Sequence, residues 1–235
     1  MKRLIVASTS TVHGSAPLEY LLPTLSEHFK GIKHLLFIPY ARPSGISYHD
    51  YTVNIQKALS KIGIKVKGIH EFEDPKEAIK SAEGIFTGGG NTFELVNQLY
   101  SNEIIEVLQN SLNTGTPYLG TSAGSNICGQ TMMNTNDMPI VYPPSFDTLS
   151  VIPFNINAHY LDPDPTSTHM GETRETRIKE FHVFNDTPVL GLREGSWLKV
   201  NGEQVLLKGE LSARLFRPNM KPIELDPNSS IHQYL

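Results

Sequence analysis

Apolar residues in the first half of the chain follow two alternating rhythms. Leu4-Ile5-Val6-Ala7 is a short unbroken run that predicts a strand over 4–8. Leu35-Leu36-Phe37-Ile38 is another, stopped by Pro39. Between them Leu18, Leu21, Leu22, Leu25 and Phe29 recur at helical spacing and predict a helix over 18–29. The exchange then repeats. Val53, Ile55, Ala58, Leu59 and Ile62 predict a helix over 51–62, closed by Gly63, and a strand follows over 64–69. Asp74-Pro75-Lys76-Glu77 marks a helix start, with a capping Asp, Pro in the first turn and Glu three residues on. Ile85-Phe86 ends the next strand, helices are predicted over 92–100 and 103–112, and a strand over 117–120. Strands alternating with helices predict an α/β fold: a mostly parallel, doubly wound sheet with helices on both faces.

After Gly129 the pattern loosens. Residues 134–147 read as a loop containing Pro139, Pro143 and Pro144, and 151–156 as a strand. Asp162 to Thr168 is a turn-rich exposed loop, 172–184 a helix and 189–192 a strand. Residues 196–207 form a predicted C-terminal β-hairpin around Asn201-Gly202, with short strands at 215–216 and 223–225. The chain shows no internal repeat, low-complexity tract or linker, so 1–235 is read as a single catalytic-type domain.

The 235 residues are enough for one such domain with a substantial core. Net charge is −4 and no Lys/Arg cluster stands out, so neither nucleic acid nor a membrane surface is an expected partner. The four-residue apolar run after Met1-Lys2-Arg3 is too short for a secretory leader. No stretch approaches the ~18 apolar residues of a membrane span. The single cysteine, Cys128, excludes an intrachain disulfide and reads as a core residue within a helix. A cytoplasmic enzyme or binding protein is expected.

The chemistry concentrates at Gly120-Thr121-Ser122-Ala123-Gly124. This G-x-S-x-G follows the apolar pair Tyr118-Leu119 at a strand end, the context of a nucleophile elbow. A sharp strand-to-helix turn needs glycines where side chains would clash, and it holds the serine hydroxyl at the tip. Thr87-Gly88-Gly89-Gly90 also follows an apolar run. Its backbone N–H groups can sit where an oxyanion needs donors. Both turns are predicted on the carboxyl edge of a parallel sheet, where ligands gather.

A serine nucleophile needs a base, and the base needs an orienting group. Of nine histidines, His159 is the best placed, directly after Phe154-Asn155-Ile156-Asn157-Ala158 at a strand end. Glu194, in the turn after Val189 to Leu192, is the candidate acid, expected on the same sheet edge as Ser122 and His159. Asp137 is the rival acid, with an Asx-turn before Pro139 as its simpler reading. His232 as base would give the α/β-hydrolase order, but no strand precedes it. His159 with Asp162 suggests a metal pair only weakly, since further ligands at suitable spacing are missing.

A set of blocks in order resembles the peptidase E family of cytosolic aspartyl dipeptidases. They are Leu36 to Tyr40, Gly88 to Phe93, Gly120 to Asn126, Thr135 to Val141, Pro143 to Phe146, Ile156 to His159, Gly171 to Glu175 and Gly191 to Gly195. The resemblance implies a fold like class I glutamine amidotransferases, with serine in place of their cysteine. It implies cleavage of dipeptides with an N-terminal aspartate, and it assigns Ser122 as nucleophile, His159 as base and Glu194 as acid. Two places depart from the family pattern: Thr121 stands where tryptophan is expected, and the loop over 162–170 is built differently.

On this reading Ser122 attacks the peptide carbonyl while His159 takes its proton, and the N–H groups of Ala123 and of Gly89 or Gly90 hold the oxyanion. Neither metal nor other cofactor is required. The expected partner is a small peptide. An acidic substrate side chain calls for a cation, for which Arg174 is the candidate. Asn91 is a candidate for a substrate amine or carboxylate, with helix capping as its alternative. A cyanophycinase-like β-aspartyl hydrolase, another serine hydrolase, or a non-enzymatic binding domain are the competing readings.

Overall fold

The computed structural model describes residues 1–166, 168 and 170–234. In chain order the elements are β1 (Arg3–Ala7), α1 (Leu22–His28), β2 (His34–Ile38), α2 (Tyr48–Leu59), β3 (Lys65–Gly68) and α3 (Pro75–Lys80). Next come β4 (Ile85–Thr87), α4 (Thr92–Ser101), α5 (Ile105–Thr114), β5 (Tyr118–Thr121) and α6 (Ala123–Asn126). The second half adds β6 (Asn155–Ala158), α7 (Arg174–Phe181), β7 (Val189–Leu192), β8 (Trp197–Asn201), β9 (Gln204–Lys208), β10 (Ala213–Phe216) and β11 (Ile223–Leu225). No helix among the described residues is long and apolar enough to cross a membrane.

The fold is α/β, as the alternation predicts. The main sheet has the order β3-β2-β4-β5-β1-β8-β9. Its first five strands are parallel, and the β8–β9 hairpin closes the far edge antiparallel to β1. Period-2 alternation divides the strand side chains between two layers. Leu4 and Val6 face α3, α4 and α5 through Ile79, Leu95, Leu99, Leu108 and Leu112. Ile5, Ala7, Phe37, Phe86 and Leu119 face α1 and α2 through Leu25, Phe29, Ile55 and Leu59.

A second sheet runs β11-β10-β7-β6, with β6 and β7 parallel to each other. The hairpin occupies the edge beyond β1, and β6 and β7 do not join the main sheet. They pair with β10 and β11 instead, and lay Ile156, Leu190 and Leu192 against the layer that holds α6. Their opposite face packs on α7 through Tyr160, Val189, Phe216 and Ile178.

Two stretches differ most from the sequence pattern. The apolar stretch over 18–29 forms a 3₁₀ turn, Glu19–Leu21, before α1 begins. Pro23 lies in the first turn of α1. It lacks an N–H and would obstruct a helix running through from residue 18. Val151, Ile152 and Phe154 are buried but are not strand residues. The Val151 and Ile152 N–H groups both donate to Cys128 O, at 3.1 and 3.2 Å, so this stretch docks on the end of α6. Cys128 lies just beyond α6, fully buried, and burial pushes its thiol pKa up.

Candidate active site

Ser122 joins β5 to α6 with φ 54° and ψ −113°, a conformation that costs a non-glycine residue energy and points its side chain out of the turn. Neighbouring groups hold it there. Ser122 N–H donates to Ala7 O at 3.1 Å, and Ser122 O accepts from Ser125 and Asn126 N–H at 2.8 and 2.9 Å. Ser125 Oγ donates toward both Ala7 O (2.6 Å) and Gly120 O (2.8 Å), locking the turn to β1. A Cβ on Gly120 would overlap Gly124 O, and one on Gly124 would overlap Thr87 O. The glycines of the motif are therefore demanded by chain packing, as a nucleophile elbow requires.

His159 follows β6, also at positive φ (55°). Its Nε2 lies 2.8 Å from Ser122 Oγ, and its Nδ1 lies 2.6 Å from Glu194 Oε1. With Nδ1–H donating to the carboxylate, Nε2 keeps its lone pair to accept from the serine hydroxyl. Ser122, His159 and Glu194 thus form one hydrogen-bonded line. The expectation of a single sheet edge is corrected here. Ser122 ends a strand of the main sheet, whereas His159 and Glu194 follow β6 and β7 of the second. The joint is Ser8, at the end of β1. Ser8 Oγ donates to Leu192 O at 2.7 Å and accepts from His159 N–H at 2.9 Å.

The other candidate residues fall into place around this line. Asp137, the rival acid, accepts from Thr92 N–H (2.7 Å) and Thr92 Oγ1 (2.5 Å) at the start of α4, not from His159. Asn91 caps α4 by accepting from Glu94 N–H at 3.1 Å, while its Nδ2 donates to Met138 O at 2.8 Å. Its amide is committed to holding the 134–147 loop on α4. His232 lies in a 3₁₀ turn at 231–234, on the chain segment that bridges to β9. His169 lies outside the described residues. Asp162 is gripped by Arg193 through two 2.8 Å bonds and makes no pair with His159.

Gly89 approaches the nucleophile so closely that a Cβ on it would sit 2.9 Å from Ser122 Cβ. Its N–H, however, donates to Tyr51 Oη at 3.1 Å. Among the described residues, the N–H groups of Gly90 and Ala123 have no acceptor. Gly90 adopts φ 149° and a Cβ there would overlap Ala41 O, so the position demands glycine.

Arg174 is the first residue of α7, which Thr173 caps by accepting from Thr176 N–H at 3.1 Å. No carboxylate among the described residues pairs with it. Burial and the neighbouring Arg177 lower its pKa, and Asp137 acts in the opposite sense. With Leu161, Thr173 and Arg177 it lines a cleft of about 420 Å³ beside the segment that follows His159.

Three residues in this machinery have no sequence signal of their own: Ser8, Tyr51 and Arg193. Each acts through a contact more than 30 residues away in the chain.

The sequence pattern of peptidase family S51 matches residues 4–208. A Streptomyces coelicolor protein named "Peptidase E" is 48% identical over 233 residues, covering 99% of this chain and 94% of its own length. A Drosophila melanogaster protein named "Probable alpha-aspartyl dipeptidase" is 43% identical, covering 96% of this chain and 94% of its own. The crystal structure of a peptidase from an acI-B1 actinobacterium superposes with a TM-score of 0.73 at 15% identity, covering 98% of this chain and 96% of that one. That likeness is one of fold.

Proposed function

The chain belongs to peptidase family S51, and we propose that Ser122, His159 and Glu194 are its catalytic triad. The enzyme is a serine-type dipeptidase that hydrolyses dipeptides with an N-terminal aspartate. The observation that carries the triad is the unbroken line from Ser122 Oγ through the His159 ring to Glu194 Oε1, 2.8 and 2.6 Å long.

Ser122 Oγ attacks the peptide carbonyl carbon while His159 Nε2 takes the hydroxyl proton. The tetrahedral oxyanion receives hydrogen bonds from Ala123 and Gly90 N–H, the two that are free to give them. Gly89 N–H joins only if it exchanges Tyr51 for the oxyanion. Glu194 holds the imidazole through Nδ1 and stabilises its cation. His159 then gives its proton to the departing amine. Water, deprotonated by the same imidazole, cleaves the acyl-enzyme and releases aspartate. Arg174, unpaired and half-buried, grips the side-chain carboxylate of that aspartate. A lone buried cysteine and no disulfide suit work in the cytoplasm.

Hydrolysis of α-Asp-Leu by the wild type and by Ser122→Ala, both with EDTA, tests this reading. Turnover that persists with the chelator and disappears in the variant is expected. Wild-type turnover of β-Asp-Arg or p-nitrophenyl acetate but not of α-Asp-Leu would reject the substrate class. Turnover of none of the three would reject the enzyme.

A further inference from the structure

A second cation lies in a cleft whose wall, at Tyr51, is hydrogen-bonded to the Gly89 turn. The segment after β2 carries Arg42 into this cleft of about 380 Å³, lined also by Ser10, Thr11, Ser44, Tyr51 and Asn54. We propose that this cleft binds the free C-terminal carboxylate of the dipeptide, with Arg42 as its anchor. The proposal rests on the dipeptidase reading above and names what that site demands of the departing half.

The cleft is one hydrogen-bonded step from the chemistry. Tyr51, on its wall, donates its hydroxyl to Gly89 O (3.3 Å) and accepts from Gly89 N–H (3.1 Å). Gly89 is the residue packed against Ser122. The Arg42 guanidinium lies 5.3 Å from the centroid of the Tyr51 ring, within reach of the ring's cation-attracting face. No carboxylate among the described residues pairs with Arg42. Arg193 and Arg214, by contrast, are each saturated by two or three carboxylates. A guanidinium with the hydroxyls of Ser10, Thr11 and Ser44 beside it is a receptor for a planar anion.

The placement matches the charges of the substrate. Tyr51 belongs to the layer of α1 and α2. Arg174 starts α7, which packs on the second sheet. Ser122 joins β5 of the main sheet to α6. A dipeptide beginning with aspartate has two carboxylates, one in the half that acylates the serine and one at the end of the half that leaves. Each extra residue would carry the terminal carboxylate about 3.3–3.6 Å farther out. Recognition of that carboxylate at Arg42 therefore selects chain length as well as charge.

The test compares Asp-Leu with Asp-leucinamide, which lacks only the terminal charge. Wild type is expected to favour the acid about tenfold or more in kcat/KM, chiefly through KM, the scale of one charged hydrogen-bonded contact. In Arg42→Gln the preference should collapse towards one, and Arg42→Lys should fall between. A wild type indifferent to the amide, or an Arg42→Gln that keeps the wild-type preference, would overturn the proposal. If wild type cleaves neither compound, the activity reading fails separately. Calorimetry on Ser122→Ala then decides: Asp-Leu binding weakened about tenfold by adding Arg42→Gln supports the subsite, and unchanged or absent binding rejects it.

Discussion

The backbone N–H of His159 hangs from the side chain of Ser8, Oγ to N 2.9 Å, and through it the base is tied to the strand beside the nucleophile. Ser8 is fully buried, and its hydroxyl also reaches Leu192 O. One side chain thus registers the end of β1 against the ends of β6 and β7.

Ser8→Ala removes that tie and leaves the His159 N–H without an acceptor. Stability should fall by about 1–3 kcal/mol, the cost of an unpaired buried donor. Because the base loses its anchor, kcat should fall more than KM rises. Urea unfolding and steady-state kinetics on Asp-Leu measure the two effects, and an unchanged kcat would refute the anchoring role.

Glu194→Gln puts an amide where Nδ1–H requires an acceptor of fixed sense. The imidazole loses both its tautomer control and its counter-charge, and kcat should drop by up to about 10⁴-fold with KM little altered. A loss confined to KM would remove Glu194 from the triad.

Gly124→Ala and Gly89→Ala should fail in different ways. The new Cβ at 124 meets backbone, Thr87 O, which cannot step aside. A stability loss of about 1–3 kcal/mol is expected in thermal unfolding. At 89 the new Cβ meets Ser122 Cβ at 2.9 Å. That variant should fold near-normally yet lose turnover as the nucleophile is displaced.

Arg193 grips Asp162 with Nε and Nη2, both at 2.8 Å, and Glu224 with Nη1 and Nη2. It neighbours Glu194, and Asp162 follows His159 by three residues, so the clasp joins the two segments that carry base and acid. The Arg193 hydrogen bond is the main cause holding the Asp162 carboxyl below its ordinary pKa. A double-mutant cycle of Arg193→Lys and Asp162→Asn should give a coupling of about 0.5–3 kcal/mol in unfolding. Additive losses would mean that the clasp contributes nothing.

His28 makes the fold sensitive to acid. Its buried ring contacts Tyr118 O at 3.1 Å, and burial, with Arg3 nearby, pushes its pKa down to about 4. An unfolded histidine titrates near ~6.5. Between those values the unfolded chain takes up a proton that the native ring refuses. Stability present above the unfolded pKa is therefore lost as pH falls towards the native one, by a total of order 3 kcal/mol. Urea midpoints at about pH 7.5 and 5 should converge in His28→Gln relative to wild type.

The site was more legible in the sequence than the architecture around it. Ser122 stood out because an elbow needs small residues at fixed offsets, and Gly120 and Gly124 are those residues. His159 and Glu194 are candidates because of their places after apolar runs, and the fold brings both to Ser122. That they belong to a second sheet was hidden, because strand pairing depends on which edge the β8–β9 hairpin takes, and no local pattern encodes it. The stretch 151–156 reads as a strand, but only its end belongs to β6, because docking on α6 and pairing in a sheet bury the same kind of apolar residue. Asn91 carried two readings, and the contact that commits it, with Met138 O, lies 47 residues away. Ser8, Tyr51 and Arg193 stayed unmarked for the same reason: isolated polar residues acquire their roles only from what the fold brings beside them.

With Ser122 on one sheet and His159 and Glu194 on the other, the proposed triad is a ruler laid across their seam. A slip between them by one strand residue, about 3.3 Å, would exceed the whole length of the Ser122–His159 contact while leaving each sheet's own ladder intact. Catalytic competence therefore reports how the two halves are docked, a quantity that bulk strand content does not register. In a gentle denaturant series the enzyme should fall silent before it comes apart.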